Sequence, residues 1–425
     1  MLHIPNSRDG ALRVRDEGPR TTAEPMKILI ANTLYYPDMV GGAEVSTQIL
    51  AEGLAAAGAE VCVVCATGEG ADRVSELNGV KIYHLRFANL YWPHRPKKHS
   101  RIARLVWHAI DVHNVIMARK LKKIIAREKP DIVSTSNLSC LSIGIWRLSK
   151  EAGVPIVHTA RDYYLICPTS KMLSHNMSCE RQCGLCSRYA GPKRTESQRV
   201  DVAIGVSQFV LQKHLDNGFF AGASSTGVIS DCYLPNKSGA SYIPQAPYRG
   251  GIVRLGVLGR VSPEKGIEVL LDELRRDSTL EWSLSIGGAG DADYLAKLKA
   301  TYDDRRVSFL GHVVPADFLQ SIDILVVPSK WNEPFGRVTV EAYSHGVPVV
   351  GANTGGIPEV IEPDSYLVFD IHQPHTVIDK IREAVELLKN SHTRARLLEY
   401  AETFSPNAMV DAYLSVYNNA LNRAG

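Results

Sequence analysis

The sequence has no apolar run near the ~20 residues that cross a bilayer. Its longest candidates, Lys27–Ala31 and Val61–Ala66, have the length of buried strands. Residues 1–25 are polar, carrying Arg8, Arg13, Arg15, Glu17, Gly18 and Pro19. They lack the apolar segment of a secretory signal, so they read as a disordered leader. Cysteine is scarce: eight in 425 residues cannot make a disulfide scaffold, which points to a reducing cytoplasm. A large charge of one sign is also missing. The net value of +3 is too small to make nucleic acid the main partner. What is present, 45% hydrophobic and 22% charged residues, is the composition of a globular protein with material for two cores.

The first half alternates strand-type and helix-type segments. Strands are expected at Lys27–Asn32, Glu60–Ala66, Val80–Arg86, Asp131–Thr135, Pro155–Thr159 and Val202–Gly205. Helices are expected at Ala43–Ala57, Arg101–Glu128 and Leu141–Ala152. Val- and Ile-rich strands separated by helices indicate a doubly wound parallel sheet. Residues 231–251, rich in Pro and Gly without periodicity, read as a linker. A second alternation follows, with strands at Ile252–Leu258, Glu281–Ile286, Val307–Leu310, Ile324–Val327, Val347–Val350 and Ser365–Phe369. Its helices are Gly266–Arg276, Tyr294–Thr301, Pro315–Ser321 and Arg337–His345. The expected class is α/β: two doubly wound, Rossmann-like domains, residues 26–245 and 246–404, facing across a cleft. A last helix at Pro406–Leu421, within residues 405–425, could return to the first domain. Ligands in such folds sit outside the carboxyl ends of the strands.

Three segments of the second half carry chemistry. Gly259-Arg260-Val261-Ser262-Pro263-Glu264-Lys265-Gly266 follows a strand and opens a helix. Arg260 offers a fork and Lys265 a point charge to phosphate oxygens. Next, Glu333-Pro334-Phe335-Gly336 leads into Arg337-Val338-Thr339-Val340-Glu341. Gly336 allows close backbone approach, and the helix start offers free amides to a phosphate or sugar oxygen. A carboxylate accepts two hydroxyl hydrogen bonds well, so Glu341 suits a ribose diol and Glu333 a sugar hydroxyl. Each glutamate could equally be a dipole partner or a solvated helix residue. Gly355-Gly356-Ile357-Pro358-Glu359 adds a glycine turn.

The order GRVSPEKG, VVPSKWNEPFGRVTVEAYSHGVPVV, GGIPEVI resembles the donor domain of family-4 retaining glycosyltransferases of the GT-B fold. The likeness spans residues 27–420 and is dense from 252 to 362. It implies Arg260 and Lys265 on a diphosphate, Glu341 on the nucleotide ribose, and Glu333 with the Phe335–Gly336 backbone near the transferred sugar. Arg337 stands within the same donor-binding motif. It implies a nucleotide diphosphate sugar as donor and a glycan or lipid-linked acceptor, as in bacterial envelope or exopolysaccharide assembly. No cofactor is required for that chemistry. Asp291-Ala292-Asp293 has the spacing of a metal-binding pair but opens a helix, where acidic residues are expected as dipole partners.

In the first half, Gly41-Gly42 joins the first strand to the first helix, and the resemblance places this loop over the donor phosphates or the acceptor. Aligning on Asp162-Tyr163-Tyr164-Leu165-Ile166-Cys167-Pro168 puts Arg161 where the family has a histidine that orients the sugar. Arginine stays protonated and cannot act as a general base, but can pair with a phosphate or an acidic sugar. His158 is expected to be a satisfied strand histidine. That departure motivates an alternative, a non-catalytic nucleotide-sugar-binding protein; a GT-B nucleotide-sugar epimerase is another.

Cys167, Cys179, Cys183 and Cys186 cluster around a stretch read as a loop, and the C-x3-C-x2-C spacing suits a structural zinc. Free thiols and iron–sulfur ligation are the other readings. Cys62 and Cys65 read as core residues of one strand. Residues 91–130 carry eleven Lys and Arg against Asp111 and Glu128, a local charge of +9. Ile102, Leu105, Ala109, Val112 and Ile116 recur there at helical spacing. Two readings are open: a solvated helix that packs this apolar face on the sheet, or a patch at the inner face of the membrane that touches anionic lipid or a lipid-diphosphate acceptor.

Overall fold

The structure is a computed structural model describing residues 24–39, 41–95, 99–234, 248 and 250–424. The expected leader and most of the expected linker lie outside the described residues. The chain divides into two compact units. The first holds residues through Met172, Arg181–Ser230 and the chain from Met409 onward; the second holds Leu173–Glu180 and Asp231–Ala408. The division thus falls at Ser230/Asp231, fifteen residues before the expected boundary. No helix among the described residues is long and apolar enough to cross a membrane.

The first unit is built on an eight-stranded sheet. Its strands are β1 (Lys27–Ala31), β2 (Glu60–Thr67), β3 (Arg73–Leu77), β4 (Val80–Arg86), β5 (Ile132–Thr135), β6 (Ile156–Ala160), β9 (Val202–Gly205) and β10 (Ser225–Val228). Two short strands between β6 and β9, β7 (Leu173–Ser174) and β8 (Met177–Ser178), form a hairpin that belongs to the second unit. The sheet order is β10-β9-β6-β5-β1-β2-β4-β3. All neighbours are parallel except the β3/β4 edge pair. The central strands are buried on both faces, which is why β1, β5 and β6 read as near-continuous apolar runs. The antiparallel edge was not expected. It arises from Asn78-Gly79, both at positive φ (50° and 78°), the two-residue turn that folds β3 back on β4.

Around this sheet lie α1 (Gly42–Ala56), α2 (Arg101–Val112), α3 (Val115–Glu128), α4 (Gly144–Glu151), α5 (Gly184–Ser197) and α6 (Gln208–Asp216). The single helix expected at Arg101–Glu128 is two. Asn114 breaks it, because its side-chain oxygen accepts the Met117 amide at 3.1 Å and starts α3 anew, while its amide donates to the Ala88 carbonyl. The cysteine segment read as a loop becomes α5 from Gly184. His158 is buried as expected, its Nδ1 2.9 Å from the Thr135 hydroxyl, and burial pushes its pKa down to about 3. Cys62 and Cys65 lie in the core of β2.

The second unit carries a six-stranded, wholly parallel sheet. Its strands are β11 (Val253–Leu258), β12 (Trp282–Gly287), β13 (Val307–Gly311), β14 (Ile324–Val327), β15 (Val349–Ala352) and β16 (Val368–Phe369), in the order β13-β12-β11-β14-β15-β16. The helices are α7 (Ile267–Arg276), α8 (Ala292–Thr301), α9 (Pro315–Ser321), α10 (Arg337–Tyr343), α11 (Ile357–Val360), α12 (Thr376–Leu388) and α13 (Thr393–Glu402). One core cluster joins β11, β12 and β14 to α7 and α12; another joins β14 and β15 to α9, α10 and α13. The last helix, α14 (Pro406–Ala424), packs within the first unit from Met409 onward. There Tyr413 shares a 2.9 Å hydrogen bond with Thr159, and Tyr417 donates to Ser134 at 2.7 Å.

The strand order of the second sheet reverses between β11 and β14, where successive connections leave in opposite directions. The amino ends of that pair are held by Asp323, just before β14. Its carboxylate accepts from the Arg254 amide at 2.9 Å, Nε at 3.0 Å and Nη2 at 2.7 Å. The Asp323 amide donates back to the Arg254 carbonyl at 2.7 Å. Arg254 is half exposed, so the expected cost of Asp323→Ala is that of losing one buried charged acceptor, about 1.5–3 kcal/mol. A urea unfolding curve unchanged from the parent would contradict this.

Candidate active site

Four loops leave the carboxyl ends of β12, β11, β14 and β15, side by side in the second sheet. Those after β11 and β14 flank the point of strand-order reversal, where open α/β sheets bind ligands. The loops are laced together by backbone. The amide of Gly259 donates to the Gly287 carbonyl at 2.9 Å, and that of Val261 to Ala289 at 2.9 Å. The Glu264 carbonyl accepts from Lys330 at 2.9 Å and Trp331 at 3.2 Å, and the Glu333 carbonyl accepts from Gly356 at 2.7 Å. Gly355 makes the last approach possible. Its φ is +58°, and a Cβ there would stand 2.3 Å from the Glu333 carbonyl oxygen and 2.5 Å from its nitrogen.

This lacing brings Lys265 and Glu333 together. Lys265 ends a 3-10 turn (Pro263–Lys265) after β11, and Glu333 lies in the loop after β14. The Lys265 ammonium donates to Glu333 Oε1 at 2.8 Å, so an ion pair spans the reversal point. Glu333 is buried, Lys265 keeps about a quarter of its side chain exposed, and its Nζ lies 5.6 Å from the Trp331 ring centroid. Phe335 is buried edge-on to Phe404. Gly336, at φ +91°, caps α10, whose Arg337 donates to Glu341 at 2.8 Å one turn on. Burial raises the Glu341 pKa above its ordinary value, opposed by the Arg337 charge and hydrogen bond. Arg260 stands exposed and makes no ion pair among the described residues.

Asp291 is the N-cap of α8, its carboxylate accepting the amides of Asp293 and Tyr294, both at 3.1 Å. The Asp-x-Asp spacing is thus spent on capping a helix. Two polar groups were missed by sequence reasoning. The hydroxyls of Ser262 and Thr339, one in each flanking segment, are buried without a hydrogen-bond partner among the described residues. Nothing in local sequence distinguishes them; only the convergence of the loops does. The β7/β8 hairpin was missed as well, and Ser178 on β8 accepts the Asn332 amide at 2.7 Å, next to Glu333.

The remaining candidates belong to the first unit. Gly41 is the N-cap of α1, and its amide is already taken by the Glu44 carboxylate at 2.7 Å, with Gly42 beginning the helix. Arg161 follows β6 and is buried; its Nη2 donates to the Tyr413 hydroxyl at 3.3 Å. Beside it, burial pushes the Asp162 carboxyl up to about 6. Cys183 caps α5, its sulfur accepting the Cys186 amide at 3.5 Å, and that hydrogen bond lowers its pKa. Cys186 Sγ lies 3.7 Å from Cys167 Sγ, close to the ~3.8 Å edge of a tetrahedral zinc–thiolate site. Cys179 falls in the second unit. No group of three or more His, Cys, Asp or Glu among the described residues is placed to hold one metal ion.

Residues 253–387 match the family model of glycosyl transferases group 1, and residues 40–222 match that of glycosyltransferase family 4. A 42.6 kDa protein from the cps region of Klebsiella pneumoniae is 35% identical over 395 residues, covering 92% of this chain and all of that protein. The chain belongs to the family-4 glycosyltransferases. A further relative of this glycosyltransferase is the D-inositol 3-phosphate glycosyltransferase of Corynebacterium glutamicum. The two are 32% identical over 182 residues, 39% of this chain and 43% of that protein. Among solved structures, sucrose-phosphate synthase from Thermosynechococcus elongatus superposes with a TM-score of 0.68 at 17% identity, covering 94% of this chain and all of that one. HepE of Anabaena, solved in complex with UDP, superposes at 0.63 with 18% identity, covering 93% and 100%. The glycosyltransferase thus has the GT-B fold.

The positions of Lys265 and Glu333 depend on the glycine beside them. Gly355→Ala is expected to lower stability by about 2–4 kcal/mol through a strained φ and a backbone clash. Gly184→Ala, at a helix start with open space around it, serves as control and should leave stability nearly unchanged. Equal melting temperatures for the two variants would contradict the packing described.

Proposed function

We propose that this glycosyltransferase moves a sugar from a nucleotide diphosphate sugar to a glycan or lipid-linked acceptor with retention of anomeric configuration. The observation that carries the proposal is the Lys265–Glu333 pair across the strand reversal, with Arg337–Glu341 one segment on. Arg260 and Lys265 hold the diphosphate, and their charge stabilises the departing oxyanion as the anomeric bond breaks. Glu341 accepts the ribose hydroxyls, and Glu333 with the Phe335–Gly336 backbone orients the sugar. Two cations on one loop can balance the leaving group without a divalent metal, and the one Asp-x-Asp pair named above is engaged as a helix cap. Arg161 in place of a histidine offers a fixed positive charge to a phosphate or an acidic sugar.

A role in cytoplasmic assembly of an envelope polysaccharide is supported by the cps-region relative. A lipopolysaccharide outer core galactosyltransferase, WaaB, is also among the structural neighbours, at a TM-score of 0.60. The direct experiment presents a panel of nucleotide sugars and follows transfer or slow hydrolysis, reading the product anomer by NMR. An inverted product rejects retention. Binding without turnover indicates a non-catalytic binder, and an altered but still nucleotide-linked sugar indicates an epimerase.

Lys265→Ala is expected to lower kcat by about 10²–10³, the cost of losing one electrostatic stabiliser of the leaving group. Glu341→Ala should instead weaken nucleotide binding about tenfold, through a lost charged hydrogen bond of about 1.5 kcal/mol. Wild-type kinetics in either variant would reject these assignments.

The pH dependence follows from the buried Glu341 carboxyl. Its folded-state pKa lies above 4.5, so between those values the folded chain binds more protons than the unfolded one. Its contribution to stability therefore falls as pH rises through that window. Nucleotide affinity, which needs the ionised form, should fall on acidification at a higher pH than an ordinary carboxylate would give. Arg337→Ala should move that midpoint further up, as calorimetric titration at several pH values would show.

A further inference from the structure

The apolar stripe of α2 is turned to solvent except at its last residue, Val112, which is buried. The helix is fastened by its other face. Trp107, Asp111 and Val112 are buried, Trp107 Nε1 donates to the Tyr91 carbonyl at 2.8 Å, and Asp111 accepts from the Cys140 amide and the Tyr164 hydroxyl, each at 2.7 Å. Ile102 (74% exposed), Leu105, Val106 and Ile110 face solvent, and Val115 and Ile116 at the start of α3 are exposed as well. The apolar surface continues onto α5. The Tyr189 hydroxyl donates to the Leu105 carbonyl at 2.9 Å, and exposed Leu185 lies one turn before Tyr189.

The charges sort by direction. Arg101, Arg104, Arg119, Lys122, Lys123 and Arg127 are all exposed. Both acids of α2 and α3 are committed elsewhere. Asp111 is buried in the contacts above, and Glu128 accepts from Lys81 at 2.8 Å and from the Tyr83 hydroxyl. Lys120 pairs with Asp72 at 2.6 Å, so it is not part of the outward set. An exposed aliphatic stripe whose exposed charged neighbours on α2 and α3 are all cations complements one kind of surface: acyl chains beneath anionic headgroups. A second protein copy would bring the same unbalanced cations against each other.

We infer that the α2 face, with Val115, Ile116 and Leu185, seats this protein on an anionic lipid bilayer. Ile102, Leu105, Val106 and Ile110 enter the headgroup–acyl boundary, and Arg101, Arg104 and Arg119 meet lipid phosphates. The inference does not depend on which sugar or acceptor the enzyme uses. None of these residues belongs to the donor site.

The test is sedimentation of the full chain with phosphatidylcholine vesicles, with and without 30% phosphatidylglycerol (about a third of the lipid, enough to give a negative surface potential). Binding is expected only to the anionic vesicles, and should weaken with added salt. Arg101→Ala with Arg104→Ala should reduce the partition coefficient on the order of 25-fold, at about fivefold per charge. Ile102→Glu with Leu105→Glu should abolish binding while melting temperature and nucleotide affinity stay at wild-type values. Undiminished binding of the glutamate variant would overturn the inference. So would equal binding to neutral vesicles, or a dimer in light scattering that this variant dissociates while vesicles bind neither form.

Discussion

The pairing of β11 with β14 is the constraint on which the second unit depends. Only two register pairs join these strands, Leu255 with Ile324 and Gly256 with Leu325, yet the sheet order reverses there and the motif-bearing loops diverge from it. An ion pair holds each end. Arg254–Asp323 clamps the amino ends, where a buried carboxylate and a backbone exchange fix the register. Lys265–Glu333 spans the carboxyl ends, at the loops to which the proposed function assigns the donor. The first pair is anchored by a backbone exchange as well as by charge, whereas the second joins two loops through side chains alone. Such a pair keeps two charged side chains oriented before a ligand arrives, and so reduces the ordering that binding must supply.

The laced loops explain why so short a segment can carry a site. α10 has only seven residues, and its cap, Gly336, sits at a φ that few other residues adopt. Rigidity comes instead from backbone bonds between neighbouring loops, with Glu264, Ser329 and Glu333 carbonyls each engaged across a gap in sequence. The hydroxyls of Ser262 and Thr339, without a hydrogen-bond partner among the described residues, lie within that framework. Buried polar groups of this kind are costly in a resting fold and are most readily explained where a ligand satisfies them.

Much of the architecture was legible in sequence, because buried parallel strands are apolar on both faces and leave little ambiguity. All twelve expected strands occur, within one or two residues of their bounds at most ends. The misses are instructive. β3 has an exposed, charged pattern, and only the Asn78-Gly79 turn announced it. Helix periodicity ran through Asn114 because apolar spacing does not register a capping side chain. The stripe of α2 was legible as a stripe, but periodicity gives a face and not its direction. Buried Trp107 and Asp111, with Val112 alone of the aliphatic set, form the side turned inward. In the candidate site the motifs singled out Lys265 and Glu333 separately, while their pairing required two loops 68 positions apart in sequence to meet.

The return of α14 to the first unit bears on how the chain is made. Thr159 and Ser134 sit on strands of the first sheet, and their hydroxyl partners, Tyr413 and Tyr417, are translated only after the whole second unit. Every strand and helix of the second unit is therefore synthesised before the first unit has its last buried helix. The part synthesised first is completed last. Until then β6 and β5 present uncovered polar groups and apolar surface, so during synthesis the first unit, not the second, is the one exposed to misassociation.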